Sequence, residues 1–133
     1  MIDDQQDATP EADGCRPGTI LVIDDDPGVI EALETFLVDE GYRVVTACNG
    51  RAALSYLAEN EAPCVILLDM MMPVMDGYGF LAEQRQHPAL SRIPVVVLTA
   101  GANSSRVRAL CPTGFLSKPV DVDALLAFLE EYC

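Results

Sequence analysis

Short runs of purely apolar residues alternate, along most of this chain, with longer stretches in which apolar residues recur at helical spacing. The short runs are Ile20-Leu21-Val22-Ile23, Val44-Val45, Cys64-Val65-Ile66-Leu67-Leu68, Val95-Val96-Val97-Leu98 and Phe115-Leu116. Runs without polar alternation suit strands covered on both faces, as in a parallel sheet flanked by helices. Between them, Val29, Ile30, Leu33, Phe36 and Leu37 fall on one helical face, and Gly41 is placed to close that helix. Asn49 can cap a second helix running to about Asn60. A third begins near Tyr78 and ends before Pro88, and the last starts at Asp121 as its N-cap and runs to Tyr132. The stretch 103–110 has few large apolar residues and predicts only a shortened fourth helix. The order is (βα)₅, an α/β doubly wound, five-stranded parallel sheet with helices on both faces.

Residues 1 to about 17 stand apart. They carry Asp3, Asp4, Asp7, Glu11 and Asp13 against Arg16 alone and read as an acidic disordered tail, leaving 18–133 as one domain. Over the 133 residues the formal net charge is −13, with no cluster of Lys and Arg. That balance excludes nucleic acid as a direct partner and repels anionic membranes. It attracts metal cations and partners with basic faces. No apolar run approaches the ~20 residues of a membrane span, and the acidic start lacks the marks of a signal peptide. The expected location is the cytoplasm. Five cysteines, an odd number at wide spacing without a CxxC, argue against a disulfide framework or a zinc site. Cys48 and Cys64, in or near strands, read as small hydrophobes. His87 has no evident ligand partners and reads as a helix-end or loop residue rather than a metal ligand or base.

Ligands of an open parallel sheet gather beyond the carboxyl ends of its strands. Asp24, Asp25 and Asp26 follow the first strand, Asp69 the third, Thr99 the fourth, and Ser117-Lys118-Pro119 the fifth. Carboxylates brought together there raise one another's pKa and call for a cation. Mg²⁺ suits such a place, because it takes oxygen ligands and keeps several waters. A lysine and a hydroxyl can neutralise a phosphoryl group in transfer, and a carboxylate in line with it can act as nucleophile.

The segments ILVIDDDPG, VILLDMMMPVMDGYGF, VVVLTA and FLSKPV closely resemble the receiver domains of two-component response regulators, over residues 19–132. The resemblance implies a flavodoxin-like receiver fold and names Asp69 as phosphoacceptor. Asp24 and Asp25 become the acidic pair of a Mg²⁺ site, with Asp25 the more direct ligand, Asp69 sharing the ion and the Met71 backbone carbonyl as a further ligand. Mn²⁺ or Ca²⁺ can substitute in this reading. Thr99 is the switch hydroxyl, Lys118 the phosphate-binding lysine, and Phe115 the switch aromatic. The Lys118–Pro119 bond is expected to be cis. The donor is a histidine kinase or a histidine phosphotransfer protein, and the downstream target is an unidentified protein. With nothing after the last helix, the chain is expected to be a stand-alone regulator that docks or relays. It is not an enzyme on external substrates, although slow self-catalysed phosphorylation and dephosphorylation are expected.

Plainer readings apply to some of these residues. Asp26 before Pro27 suits a helix cap, Met70 and Met72 suit packing, and Phe115 can be a simple core residue. A constitutive docking module would ordinarily lack one of the key residues. A phosphohydrolase would place an acid where this chain has Met71. The chain departs from the family pattern between Thr99 and Lys118, where it is a few residues shorter and has Cys111-Pro112-Thr113-Gly114. That puts the use of the fourth-helix face for output in doubt.

Overall fold

The computed structural model describes residues 18–72, 74–99 and 112–133. Among them are five strands and four helices, in the order β1 (Thr19–Ile23), α1 (Pro27–Asp39), β2 (Arg43–Ala47), α2 (Gly50–Glu59), β3 (Val65–Asp69), α3 (Gly77–Gln86), β4 (Val95–Thr99), β5 (Gly114–Ser117) and α4 (Val122–Tyr132). The expected short helix at 103–110 and the expected tail at 1–17 lie outside the described residues.

All strand pairs are parallel, and the sheet order is β2-β1-β3-β4-β5. Each apolar run serves both faces because successive side chains of a strand point to opposite sides. Leu21, Ile23, Ile66, Leu68, Val95 and Val97 join Ala53, Leu57, Phe80 and Leu81 of α2 and α3 in one core layer. Ile20, Val22, Val65, Leu67, Val96 and Leu98 join Leu33 and Leu37 of α1 and Leu125 and Leu129 of α4 in the other. The helices thus lie on both faces, as the unbroken apolar runs require.

The helix boundaries follow from local chemistry. Asp26 caps α1 by accepting from the Gly28 N–H at 2.9 Å, with Pro27 in the first turn. Gly41, at φ 99°, turns the chain out of α1. Asn49 accepts from the Ala52 N–H at 2.8 Å, and Asp76 from the Gly79 N–H at 2.9 Å. Asp121 caps α4 through the Asp123 and Ala124 N–H groups. His87 is the exposed C-cap of α3, as its sequence position indicated.

One expectation from the cysteine pattern is overturned. Cys64, just before β3, is bonded to Cys133 at the end of α4, with their Cα atoms 5.3 Å apart. Cys64 is therefore not simply a small hydrophobe. The two residues are 69 positions apart in the chain. They meet because α4 packs over the sheet face that contains Val65 and Leu67, which an odd cysteine count could not reveal.

Candidate functional site

Strand β1 lies beside β3, with Ile23 paired to Leu68. β1 connects onward to β2 on one side, and β3 to β4 on the other, so the crevice at their carboxyl ends is the topological switch point where ligands of such sheets bind. Asp24 and Asp69 are each one residue beyond that pair and so emerge side by side, at the roughly 4.8 Å spacing of neighbouring strands. Asp69 is itself the last residue of β3, and Thr99 the last of β4.

Candidate ligand oxygens of Asp24, Asp25 and Asp69 all lie within 4.8 Å of one another. Asp24 is fully buried, Asp69 keeps 9% of its side chain open to solvent, and Asp25 is exposed. Asp24 Oδ1 accepts from the Asp26 N–H at 2.9 Å, and the Asp24 N–H donates to the Ala47 carbonyl at 3.1 Å. These two bonds fix the carboxylate at the mouth of the sheet.

The cation arrives from β5. Thr99 pairs with Ser117 in the β4–β5 register, and the next residue, Lys118, donates its N–H to the Thr99 carbonyl at 2.8 Å. The Lys118–Pro119 bond is cis, as expected from the resemblance. Lys118 Nζ donates to Asp24 Oδ2 and to Asp69 Oδ1, each at 3.2 Å. Among the described residues, three clustered carboxylates thus share one ammonium, which pairs directly with two of them, and the cluster is short of positive charge.

The electrostatics follow. Burial raises the Asp69 pKa above its ordinary value and the charge of Asp24 raises it further; Lys118 and the Met71 N–H pull the other way without winning. Burial alone would lower the Lys118 pKa, but the hydrogen bonds and charges of Asp24 and Asp69 together outweigh it and raise the value. A deficit of positive charge at buried oxygens is what a hard divalent cation corrects. The donor set, oxygen only and partly open to solvent, fits Mg²⁺ by its chemistry.

The loop after β3 holds the mouth in place. Met70 is buried in the core and Met72 packs against it, whereas Met71 is 76% exposed beside the acidic cluster. The Gly77 N–H donates to the Met70 carbonyl at 3.1 Å. The Gly50 N–H donates to the Met75 carbonyl at 2.9 Å, tying the loop to the start of α2. That tie had no signal in the sequence. Val74 has φ 68°, an unusual angle for a β-branched residue. Phe115 lies partly buried against the α2–α3 core layer.

A profile of the family described as "Response regulator receiver domain" matches residues 20–130. The chain belongs to the response regulator receiver family. Receiver domains of this family are the phosphoacceptor modules of two-component phosphorelays and bind Mg²⁺ at an acidic aspartate cluster. The chain is 41% identical over 120 residues to response regulator Rre1 of Synechocystis, covering 86% of this chain and 51% of Rre1. It is 39% identical over 117 residues to a 14.6 kDa protein of Leptolyngbya boryana from the sodA1 3′ region, covering 86% of this chain and 88% of that one. Among solved structures it resembles the receiver domain of sensor histidine kinase PA1611 from Pseudomonas aeruginosa, at TM-score 0.79 and 30% identity, covering 86% and 96% of the two chains. That structure has a magnesium ion coordinated in the active site cleft. The chain spans only about half the length of Rre1. No helix among the described residues is long and apolar enough to cross a membrane.

Proposed function

We propose that Asp69 is the residue that takes the phosphoryl group, from a histidine kinase or a histidine phosphotransfer protein. The observation that carries this is the shared ammonium: Lys118 Nζ lies 3.2 Å from both Asp24 and Asp69 carboxylates at the switch point of the sheet. In this reading Asp24, Asp25, Asp69 and the Met71 carbonyl hold Mg²⁺, with Mn²⁺ or Ca²⁺ as substitutes. Asp25, exposed at the mouth, is the more direct ligand, while Asp24 is already engaged with Lys118 and the Asp26 N–H. When bound, the ion neutralises charge on the phosphoryl oxygens.

The chain's own groups do the rest. An Asp69 carboxylate oxygen attacks phosphorus, the donor imidazole nitrogen leaves with the electron pair of the broken P–N bond, and an acyl phosphate forms. Lys118 moves from bridging two carboxylates to pairing with a phosphoryl oxygen. The Thr99 hydroxyl donates to another, and Phe115 moves inward behind it. Reversal by water is slow and self-catalysed, and no external substrate is turned over.

The same reading treats 1–17 as a tail and 18–133 as the domain, working in the cytoplasm, where ATP-dependent phosphoryl donors operate. Output goes to a protein target through a phosphorylation-biased surface or by onward relay, without contact to nucleic acid or membrane. Incubation with acetyl phosphate and Mg²⁺ tests it. We expect a single phosphoryl adduct by mass, lost in Asp69→Asn and without chelatable metal. An adduct of equal yield in Asp69→Asn would end the assignment.

A further inference from the structure

Cys64 and Cys133 lie at the opposite end of the sheet from the acidic cluster, and phosphoryl transfer makes no use of them. Cys64 precedes β3, whose far end is Asp69. Cys133 is the C-cap of α4, and its N–H donates to the Leu129 carbonyl at 2.8 Å. Both residues are half-buried, so the bond can be reached by a small thiol or disulfide.

We propose that this pair is a redox-modification site, oxidised and reduced reversibly by disulfides and thiols of the glutathione class, which pins or frees the last turn of α4. Three observations point the same way. The Cα atoms are 5.3 Å apart, within the range a disulfide requires without backbone movement. The reduced form also has a place: Cys64 Sγ lies 3.3 Å from the Thr19 carbonyl, to which a free thiol can donate. The Cys64 N–H donates to that same carbonyl at 2.8 Å, so Cys64 stays anchored to β1 in either state. What changes on reduction is therefore the α4 end. There only Leu125 and Leu129 are fully buried, and Glu130, Glu131 and Tyr132 are exposed. A helix end with so little burial opens easily once the covalent tie is cut.

The chemistry balances as two exchanges. One cysteine thiolate attacks glutathione disulfide, forming a mixed disulfide and releasing one glutathione thiolate. The second cysteine thiolate attacks the protein sulfur of that mixed disulfide and releases the other. The pair gives up two electrons and two protons, and glutathione disulfide becomes two glutathione thiols. The closed loop, spanning the 69-residue separation, contains Asp69, Thr99 and Lys118. Oxidation thus constrains the unfolded state of the segment that carries most of the site. Because the bond is at the amino end of β3, both redox forms retain the acidic cluster unchanged.

The test uses the full chain, equilibrated with glutathione disulfide or with glutathione. Peptide mapping of the oxidised form should find Cys64 joined to Cys133. Its Tm should exceed that of the reduced form by at least about 5 °C. Amide exchange of residues 129–133 should slow on oxidation, with β1 and β3 little changed. Cys133→Ser should fold and lose both differences, whereas Cys48→Ser, at an exposed free cysteine among the described residues, should keep them. Modification of Asp69 by acetyl phosphate should proceed in both forms, which separates this proposal from the phosphoacceptor assignment. Pairing of Cys64 with another cysteine, or equal Tm and equal exchange in the two forms, would overturn it.

Discussion

Replacing Lys118 with methionine keeps the length of the side chain and removes the charge that Asp24 and Asp69 share. Each ion pair spans 3.2 Å, which at an effective dielectric constant of about 20 is roughly 5 kcal/mol of attraction. The carboxylate oxygens lie within 4.8 Å of one another, so their repulsion at the same dielectric constant is at least about 3.5 kcal/mol for each pair. These are gross figures. Lys118 is 23% exposed and Asp69 9%, so water recovers part of the loss, and one carboxylate can take up a proton. Breaking a buried pair from one side typically costs about 3–5 kcal/mol, and the exposure here argues for a value at or just below the low end of that range, about 2–3 kcal/mol. Urea unfolding without metal should show that loss as a lower midpoint at constant slope. Millimolar Mg²⁺ should stabilise Lys118→Met at least as much as the parent, because the ion fills the vacated role. A double-mutant cycle with Asp69→Asn isolates the coupling, which should exceed about 1 kcal/mol. If Lys118→Met costs under about 0.5 kcal/mol, or costs the same with and without the Asp69 charge, the site is not held by charge balance and the reasoning fails.

Val74→Gly should stabilise the protein by about 1 kcal/mol, since φ 68° strains a β-branched residue and 81% exposure leaves little burial to lose; an unchanged urea midpoint would refute the strain. Gly77→Ala should cost about 2 kcal/mol or more, because an added Cβ would meet Met70 Cα at 2.7 Å and the Asp69 carbonyl at 2.9 Å, backbone atoms that cannot swing aside; its acyl phosphate yield should fall with it. In metal-free protein, carboxyl NMR should find Asp69 titrating above its ordinary value, from burial first and the Asp24 charge second. The folded state then holds that proton to higher pH than the unfolded chain, so the Asp69 contribution disfavours folding as pH rises through the raised value. Mg²⁺ affinity should fall as pH drops through the same value, and Asp24→Asn should move both transitions to lower pH.

The strands were legible because burial on two faces leaves a simple mark. Val65–Asp69 is buried at every position, and its run of five such residues could hardly belong to a solvated segment. Helix limits were legible where a cap supplies the missing acceptor: Asp26, Asn49 and Asp121 all accept from the N–H groups expected of them. The acidic cluster and Lys118 were legible because strand order and parallel register leave little freedom about which residues meet at the carboxyl edge. The resemblance supplied the cis bond and the individual roles, which periodicity alone does not carry. Two features left no mark. The tie between Gly50 and Met75 uses only backbone atoms, so no side chain encodes it. The Cys64–Cys133 bond depends on where the end of α4 falls on the sheet, a tertiary fact that spacing and parity of cysteines cannot anticipate.

The charge count also bears on how such a site signals. Among the described residues, Asp24, Asp25 and Asp69 against Lys118 leave the cluster two charges negative, which a bound divalent ion would bring to balance. In the proposed reading, phosphorylation replaces the single charge of Asp69 with a group of roughly −1.5 to −2. Balance is lost again, this time by about half to one charge and on oxygens that stand further out than the Asp69 carboxyl group that carries them. Lys118 cannot remain 3.2 Å from both carboxylates and also reach those oxygens. Its departure would leave buried Asp24 with the Asp26 N–H and any ion the cluster holds. Thr99 ends β4, the strand that separates β3 from β5, and in the proposed reading its hydroxyl is the one that follows. Electrostatics thus asks for movement on the β4–β5 side of the sheet, whose inner face holds Phe115, rather than on the α1 side, where Asp24 is fixed by two backbone bonds.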